Sequence, residues 1–321
     1  MLAGDIYEPR KIRLVETDEP VLDPATPGEI IFQPELACLC GSDLLFFEAD
    51  NPGYEPVIGQ SLHEMIGRVV DTNGDRFQPG DRVLCVPNRH LGLCERFRVT
   101  ENQAIPLDQR VAEDQALLAQ PLGTVLFALR KLPNLLDEKV AVIGQGPMGQ
   151  LFNLALSQLG ARQVIGVDLL EDRLKISPAM GATHTVNASN QDPIQAVHEI
   201  TGGEGPDLVV EVVGHREQVL NYCTQLCRPF GTILFFGVPP KTIDNFDIYT
   251  VFWKNQTIVT SVGPDFSKDF PLAMQWIAEG RVDVSPIITH RMPWTEIQQA
   301  FDIFSQRQDG AIKPCRARTS G

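Results

Sequence analysis

The sequence predicts an α/β protein that combines a doubly wound parallel sheet with a smaller, β-rich domain. Its 321 residues suit two domains better than one. Strands and helices alternate along the middle of the chain, whereas short strands separated by turn residues dominate its first part. We therefore expect the doubly wound domain over residues 122–261 and the β-rich domain over residues 1–121 and 262–321.

The first part of the chain consists of short apolar stretches separated by Gly, Pro, Asp and Asn. This spacing predicts strands at 29–32, 64–71, 81–86 and 96–100. Helical periodicity is scarce there, so we expect these strands to form a barrel or a sandwich.

The middle of the chain, from about residue 124, alternates apolar strands with helices. Its strands are rich in Val, Ile and Leu, which is typical of a parallel sheet that is covered on both faces. The predicted strands are 139–144, 163–168, 184–187, 207–213, 231–237 and 256–262, and the predicted helices are 147–159, 170–180, 194–201 and 217–228. The tail adds helices at 270–279 and 294–305 and a final strand. Because the tail is too short to fold alone, we expect it to complete the first domain, with a ligand cleft between the two domains.

Composition and charge argue against several classes of function. The formal net charge of −14 disfavours a nucleic-acid partner, since phosphate binding depends on Lys and Arg. No stretch reaches the ~18 apolar residues that a membrane span needs, and the N-terminus lacks the apolar core of a signal peptide. Seven cysteines without an extracellular signal predict reduced thiols in a cytoplasmic protein.

A glycine-rich turn joins the predicted strand 139–144 to the helix that follows it. Gly144, Gly146 and Gly149 form a G-x-G-x-x-G pattern, with Pro147 and Met148 at the start of the helix. In this context the first glycine allows a tight turn, the second lets a pyrophosphate approach, and the third lets the helix pack closely on the strand. The helix N-terminus offers free N–H groups to the phosphates. The middle of the chain is therefore predicted to be a Rossmann-type domain that binds a dinucleotide.

An acidic residue ends the next predicted strand. Asp168 lies 19 residues after Gly149, where a carboxylate accepts hydrogen bonds from ribose hydroxyls and repels a 2′-phosphate. An arginine near this position can accept such a phosphate, and Arg173 follows five residues later. We interpret Arg173 as a contact on the ribose or adenine side, because Asp168 occupies the discriminating position. We expect NAD as the coenzyme.

A cysteine and a histidine–glutamate pair in the β-rich part form a candidate metal site. Cys40 lies 23 residues before His63, and Glu64 follows directly. Zinc accepts a thiolate, an imidazole and a carboxylate, and three protein ligands leave a position open for substrate. From these residues alone two interpretations stay open, namely a catalytic zinc site or a buried cysteine near a surface His-Glu pair.

The order of these motifs resembles the medium-chain zinc-containing alcohol and polyol dehydrogenases over nearly the whole chain. Within that family the chain is more similar to sorbitol, threonine and sugar dehydrogenases than to simple alcohol dehydrogenases. The resemblance implies that the β-rich domain is GroES-like. The segments that carry it are Cys-Gly-Ser-Asp at 40–43, His-Glu at 63–64, Pro-Leu-Gly at 121–123, the glycine-rich turn, Asp168, 280–290 and 311–313.

The resemblance implies roles on the metal side of the reaction. Cys40, His63 and Glu64 fall where this branch of the family holds its catalytic zinc. Asp43 falls where a carboxylate steadies the ligating histidine. Ser42 matches the hydroxyl that hydrogen-bonds the substrate alcohol and receives its proton.

Further roles concern the substrate and the nicotinamide. Phe46 is expected to line the substrate pocket. Gly237, Val238 and Ser261 fall where the backbone in this family meets the nicotinamide half of the coenzyme.

The sequence departs from the family pattern at three places. Gln120 stands where a carboxylate or cysteine is usual, so it is either a weak zinc ligand or a hydrogen-bond partner of zinc-bound water. Leu45 replaces a histidine that passes the proton to solvent. The four cysteines of a second, structural zinc are missing: only Cys85 and Cys94 lie in that lobe, which is shortened. We expect one catalytic zinc and no structural zinc.

The predicted function is hydride transfer between NAD and a secondary or primary alcohol of a small polyol, sugar or amino alcohol. Two alternatives stay open, a metal-free quinone or enone reductase of the same two-domain build and a protein that binds NAD without turnover. Arg89 and His90, in the shortened loop, either contact substrate or belong to a solvated turn. Strand 256–262, at a sheet edge, could pair across a two-fold axis, so we expect a homodimer or homotetramer.

Overall fold

The computed structural model describes residues 1–48, 57–214 and 217–317. The chain forms two compact units. The first consists of Met1–Gln120, Phe266–Ala278 and Ile288–Gly321, and the second of Pro121–Asp265 and Glu279–Ile287. This differs from the predicted division, which kept residues 262–321 together in the first domain. The segment Glu279–Ile287 belongs to the second unit, and its three aliphatic residues Val282, Val284 and Ile287 are buried.

The elements follow one another in the order expected of a β-rich part and an alternating part. The strands are β1 (Leu2–Glu8), β2 (Lys11–Glu16), β3 (Glu29–Cys38), β4 (Glu64–Thr72), β5 (Arg82–Cys85), β6 (Phe97–Thr100), β7 (Ala104–Pro106), β8 (Lys139–Ile143), β9 (Gln163–Asp168), β10 (His184–Asn187), β11 (Leu208–Glu211), β12 (Thr232–Phe235), β13 (Thr257–Thr260), β14 (His290–Pro293) and β15 (Pro314–Ala317). The helices are α1 (Leu44–Glu48), α2 (Glu113–Leu117), α3 (Ala119–Leu129), α4 (Pro147–Gln158), α5 (Glu171–Ile176), α6 (Pro193–Ile200), α7 (Glu217–Leu226), α8 (Ile248–Trp253), α9 (Asp269–Ala278) and α10 (Ile297–Gln306).

The second unit contains a six-stranded parallel sheet in the order β10-β9-β8-β11-β12-β13. Strand β11 is buried along its whole length and β8 along all but its first residue. Burial on both faces explains why these strands are continuous apolar runs rather than alternating ones. Chain order reverses between β8 and β11, which is the point where doubly wound sheets bind ligands at the carboxyl ends of their strands. This sheet confirms the predicted α/β fold class.

The first unit contains a seven-stranded sheet in the order β14-β15-β3-β4-β5-β7, with β6 paired to β3. A separate hairpin joins β1 to β2. All pairs in the larger sheet are antiparallel except β14 with β15. Strand β3 is irregular at Ile31/Phe32 and at Pro34/Leu36, and such bulges bend a strand. The core beneath it includes Phe32, Phe47 and Phe301.

A disulfide corrects the prediction that all seven cysteines are reduced. Cys38 and Cys315 lie directly opposite each other in the β3–β15 pair and are bonded to each other. The other five cysteines carry free thiols. The spacing along the chain gave no hint of the bond, because 277 residues separate the two positions and only the pairing of β15 with β3 brings them together.

Among the described residues, every helix is too short or too polar to cross a bilayer.

Candidate metal centre and coenzyme site

Three potential metal ligands gather where β3 ends and β4 begins. Cys38 and Glu64 are register partners in this antiparallel pair. Cys40, two residues after the end of β3, therefore lies close to His63, which directly precedes β4. The Cys40 sulfur, a His63 ring nitrogen and a Glu64 carboxylate oxygen all lie within 4.8 Å of one another. A tetrahedral zinc site needs ligand atoms roughly 3.5 Å apart, so small side-chain movements would bring the three onto one ion.

Asp43 links the segment that follows β3 to the segment that precedes β4. It is fully buried in the short turn Gly41–Asp43. One carboxylate oxygen accepts a hydrogen bond from the Cys40 N–H at 2.8 Å, and the other accepts from the Leu62 N–H at 2.7 Å and the Ser61 hydroxyl at 3.0 Å. Burial favours a higher pKa for Asp43, but His63 and the backbone N–H groups outweigh it and the pKa lies below its usual value. The carboxylate is thus held as an anion that ties both loops together.

His63 is aligned by Asp43. Its Nδ1 lies 3.6 Å from the nearer Asp43 oxygen and is buried without a hydrogen-bond partner among the described residues. Burial favours a lower pKa, yet Asp43 and Cys40 raise the pKa of His63 well above its usual value. The two residues before it, Ser61 and Leu62, have φ of 117° and 63°. Such left-handed backbone is costly for residues other than glycine and often marks functional sites.

Lys313 is a site residue that the sequence reasoning passed over. Its side chain is completely buried and its Nζ forms an ion pair with Glu64 Oε2. Burial alone would lower the pKa of Lys313, but Glu64, with help from Cys40 and Asp43, raises it. The tail segment 311–313 supported the family resemblance, and the charged residue within that apolar stretch was the only signal available.

The other residues expected on the metal side lie on the turn after Cys40, on α1 and on α3. Ser42 is half-buried in the turn after Cys40, and Phe46 is half-buried in α1, where it packs on the core of the first unit. Gln120 is buried in α3. Leu45, which replaces the proton-passing histidine, is exposed.

The shortened loop brings His90 against the metal cluster. The His90 ring lies edge-on to the His63 ring with centroids 4.7 Å apart, and 5.3 Å from the Phe46 ring. Burial, reinforced by His63, lowers the pKa of His90. Arg89, by contrast, is exposed. Of the two interpretations left open for this loop, the structure favours a solvated position for Arg89 and a site position for His90.

The glycine-rich turn has the geometry that its glycines predict. Gly144 directly follows β8 and has a φ of +101°. A Cβ on Gly149 would collide with the Gly144 carbonyl oxygen, which explains why α4 can pack so closely on β8. A Cβ on Gly146 would meet nothing nearer than Arg173 Nη1 at 3.5 Å. Gly146 therefore leaves space for something other than protein, beside an α4 N-terminus that starts at Pro147 and Met148 without a side-chain cap.

Asp168, at the end of β9, faces this turn. One of its oxygens accepts a hydrogen bond from the Gln145 N–H at 2.6 Å, and the other accepts from the Leu170 N–H at 2.9 Å. Arg173 Nη1 lies 3.7 Å from the first oxygen. The carboxylate therefore supports the turn as well as offering acceptors to a ligand.

A buried polar network beneath the turn was missed from sequence. The Gln145 side chain accepts hydrogen bonds from Asn153 at 2.6 Å and from Ser177 at 2.8 Å. Gln150 donates to the Gln145 carbonyl at 3.1 Å and to the Arg173 carbonyl at 2.9 Å. The network thereby connects the turn to the helix that carries Arg173.

The residues expected near the nicotinamide lie at the carboxyl ends of β12 and β13. Gly237 and Val238 follow β12, and Ser261 follows β13. Gly237 packs so closely on Gly214 that a side chain would not fit. The Ser261 hydroxyl is buried without a hydrogen-bond partner among the described residues.

Glu211, at the end of β11, is a further residue that the sequence did not single out. It is buried, and one of its oxygens accepts hydrogen bonds from the Val213 and Gly214 N–H groups at 2.8 and 2.9 Å. Burial raises the pKa of this carboxyl despite those bonds. Glu211 therefore fixes the backbone that faces Gly237.

Comparisons with known proteins agree with this architecture. Residues 26–119 match the alcohol dehydrogenase GroES-like domain, and residues 147–279 match the zinc-binding dehydrogenase family. The chain is 32% identical to L-threonine 3-dehydrogenase of Bacillus subtilis over 93% of each chain. It is 25% identical to the erythritol/L-threitol dehydrogenase of Mycolicibacterium smegmatis over 96% of this chain and 95% of that one.

Solved structures share the fold. A zinc-dependent alcohol dehydrogenase 2 from Streptococcus pneumonia, in its apo form, superposes with a TM-score of 0.87 at 24% identity and covers 100% of this chain and 99% of its own. Together with the domain matches and the Bacillus relative, this confirms the predicted Rossmann-type and GroES-like domains. The chain belongs to the family of medium-chain zinc-type alcohol and polyol dehydrogenases.

Proposed function

We propose that this oxidoreductase is a zinc-dependent, NAD-linked dehydrogenase. Its substrate would be a small hydroxylated molecule, a polyol, sugar or amino alcohol, oxidised at a secondary or primary alcohol. The observation that carries the proposal is the convergence of Cys40, His63 and Glu64 within 4.8 Å. The names of the relatives, which refer to L-threonine and to erythritol or L-threitol, support a substrate with a polar group beside the reacting carbon.

The charges around the cluster fit a divalent cation. Asp43, Glu64 and Lys313 are all buried. In the protonation states that a metal site needs, with Cys40 as a thiolate and His63 neutral, these groups would carry a net charge of roughly −2, which a divalent cation would neutralise. Sulfur, imidazole and carboxylate donors together favour zinc over magnesium or calcium.

Each residue of the metal centre then has a defined task. Cys40, His63 and Glu64 would hold the ion, and Gln120 would serve as a weak fourth donor or as a hydrogen-bond partner for a bound water. Zinc, when bound, acts as a Lewis acid that makes the substrate hydroxyl more acidic. Ser42 would accept a hydrogen bond from that hydroxyl and take its proton towards solvent. Because Leu45 cannot pass a proton on, water would complete the route.

Substrate and coenzyme would be positioned by groups around these sites. Phe46 would form an apolar wall beside the substrate. On the coenzyme, Gly146 and the start of α4 would bind the pyrophosphate, Asp168 the adenosine ribose, and Arg173 the ribose or adenine side. The coenzyme supplies the hydride acceptor.

Residues at the carboxyl ends of β12 and β13 would bind the reactive half of the coenzyme. Gly237, Val238 and Ser261 would contact the nicotinamide. We infer NAD rather than NADP, because the Asp168 carboxylate beside the turn would repel a 2′-phosphate.

A single zinc per chain is part of the proposal. Burial raises the pKa of Cys85 and raises the pKa of Cys94 to about 12. Thiols with such high pKa values are poor metal ligands, because zinc binds the thiolate.

We further propose a homodimer or homotetramer. β13 is an edge strand of the six-stranded sheet, and large apolar side chains beside it are exposed, among them Val262 at 88% and Tyr249, Phe252 and Trp253 at 65–71%. An exposed edge and apolar patch of this kind is typical of a self-association surface. Sedimentation equilibrium would contradict this proposal if it gave the mass of one chain.

We place the protein in the cytoplasm, where an NAD-linked enzyme finds its coenzyme pool. The Cys38–Cys315 bond weighs against this location, because disulfides are rare in reducing compartments. Cell fractionation with an antibody against the chain would test the location.

The experiment that tests the activity compares zinc-loaded and chelator-treated protein. A panel of polyols, sugars and amino alcohols is followed by the absorbance of NADH. We expect turnover with at least one member, loss of turnover on chelation and recovery with zinc. Turnover that survives chelation would contradict the metal role. Absence of turnover with every compound of the panel would favour a protein that only binds NAD.

A metal-free quinone or enone reductase is the second candidate. The ion pair between Lys313 and Glu64 favours it, since Glu64 is already neutralised without a metal. Reduction of quinones or enones by the chelated protein would support this candidate over the first.

A further inference from the structure

Glu211 is a buried carboxylate to which the proposed reaction gives no task. It is the last residue of β11, beside the point where chain order reverses between β8 and β11, and it is only 1% exposed. One side-chain oxygen accepts the hydrogen bonds from Val213 and Gly214. The other, Oε2, is buried without a hydrogen-bond partner among the described residues. Native proteins seldom bury a polar atom in this way without a reason.

Glu211 contacts both of the segments that follow β11 and β12. A Cβ on Gly237 would come within 2.5 Å of Glu211 Oε2, and a Cβ on Gly214 would come within 2.9 Å of the Val238 nitrogen. The two segments therefore pack directly on each other and on this carboxylate. Val213 and Val238 are 38% and 48% exposed, so a ligand can reach the outer side of both segments. One of the segments carries the backbone that we propose to contact nicotinamide.

The described residues that pack on Glu211 offer it hydrogen bonds rather than a counter-charge. Its register partners are Ile143 on β8 and Phe235 on β12, and neither titrates. Cys223 on α7 interacts with it, but burial, reinforced by Glu211, raises the pKa of this thiol well above its usual value, so the thiol stays neutral. Burial raises the pKa of Glu211 itself, although backbone N–H groups lower it. Protonation of Glu211 is therefore easier than that of an exposed glutamate.

We propose that Glu211 is a positioning residue for the nicotinamide half of the coenzyme, which as an anion holds the segments after β11 and β12 in the arrangement that binds the ring. This inference rests on the proposed NAD-linked function and adds a pH dependence to it. A carboxylate accepts stronger hydrogen bonds from N–H groups than a neutral carboxylic acid does. Protonation would therefore loosen Val213 and Gly214, and with them the contact to Gly237. The adenosine half, which we place at Gly146 and Asp168, should not respond.

The test compares NADH with ADP-ribose, which lacks the nicotinamide ring, from about pH 5 to about pH 9. Calorimetric titration gives both dissociation constants. For the wild type we expect the dissociation constant of NADH to rise about 10-fold or more as the pH falls through the pKa of Glu211, because two charge-assisted hydrogen bonds weaken. That of ADP-ribose should change less than about 3-fold, since it makes no contact with this region.

Two substitutions assign the pH dependence to this carboxyl group. Glu211→Gln keeps the size of the side chain and an acceptor oxygen but cannot ionise. We expect it to bind NADH weakly at every pH and ADP-ribose like the wild type. Glu138→Gln is the matched control, because burial also raises the pKa of Glu138 and this residue directly precedes β8, at the amino end of the strand. It should keep the wild-type pH profile.

The remaining outcomes separate this inference from the function on which it rests. NADH affinity that is independent of pH, an equal change for both ligands, or a pH dependence that Glu211→Gln retains would overturn the positioning role. A wild type that binds neither ligand would overturn the inference together with the proposed coenzyme site. NADH binding with the expected profile but without turnover would contradict the dehydrogenase activity alone. If melting shows that Glu211→Gln does not fold, the wild-type profiles of the two ligands decide.

Discussion

Glu64 faces two positively charged partners, the buried ammonium group of Lys313 and the metal ion that we propose. Both carboxyl and ammonium groups are almost completely removed from solvent. Removing one member of a buried ion pair is costly because the other charge stays behind in a medium of low dielectric constant. The pair therefore gives Glu64, the first residue of β4, a buried counter-charge.

The Lys313→Met variant tests this role of Lys313. We expect the metal-free protein to lose about 3–5 kcal/mol of unfolding free energy, because Glu64 is left unpaired. Urea titration followed by circular dichroism measures the loss. The matched control is Lys175→Met, which breaks the exposed pair with Asp172 and should leave the free energy of unfolding nearly unchanged. Equal effects of the two substitutions would show that Lys313 does not stabilise Glu64.

At the scale of elements, two glycines in the turn between β8 and α4 and in the first turn of α4 are there for different reasons. Gly149 is required by the protein itself, since a Cβ would strike the Gly144 carbonyl. Gly146 is not, because the nearest protein atom to a Cβ would be Arg173 Nη1 at 3.5 Å. Its small size would suit the ligand that we propose to approach the backbone here.

Alanine substitutions at Gly146 and Gly149 should distinguish ligand binding from packing of α4 on β8. Gly146→Ala is expected to melt within about 2 °C of the wild type, yet to bind NADH at least about 10-fold more weakly. Gly149→Ala should lose both thermal stability and NADH affinity. Calorimetric melting and NADH fluorescence titration give the two quantities. Unimpaired NADH binding by Gly146→Ala would contradict the assignment of the pyrophosphate to this turn.

The pairing of β3 with β15 joins distant parts of the chain at the metal cluster. Cys38 is two residues from Cys40, and its disulfide partner Cys315 is two residues from Lys313. A proposed metal ligand, Cys40, and the counter-charge of another, Lys313, therefore both lie just beyond the same end of this strand pair.

A thiol count tests this disulfide. Five thiols per chain should react with Ellman's reagent in denaturant without reductant, since five of the seven cysteines are free. All seven should react after reduction. Seven reactive thiols before reduction, in protein purified without reductant, would contradict the bond.

At the scale of the whole molecule, the sequence predicted the alternating part well because its signals are local. Strands β9 and β10 match the predicted bounds, and β8 and α4 differ by one residue at one end. Parallel strands covered on both faces are continuous apolar runs, which a sequence displays directly. Helices α3 and α8 were not predicted. In α8 the exposed side is aromatic, so the helix lacks the polar face by which an amphipathic helix is identified in a sequence.

The site was predictable in part. Short motifs around Cys40, His63 and the glycine-rich turn pointed to the residues that lie together in each unit. Lys313, the Cys38–Cys315 bond and the position of His90 were not predictable, because they depend on how distant strands and loops pair. The structural roles of Glu211 and Gln145 were not identified, because a sequence does not distinguish a buried polar residue from an exposed one.

The most direct test of the central claim is the zinc content of purified protein, measured by mass spectrometry of the elements. The account predicts about one zinc per chain in the wild type and in Cys94→Ala, little or none in Cys40→Ala and His63→Ala, and at least ~10³-fold lower alcohol oxidation in those two variants. NADH binding should persist in all four proteins. Wild-type protein that takes up no zinc, or zinc retained in full after loss of Cys40 or His63, would contradict the account.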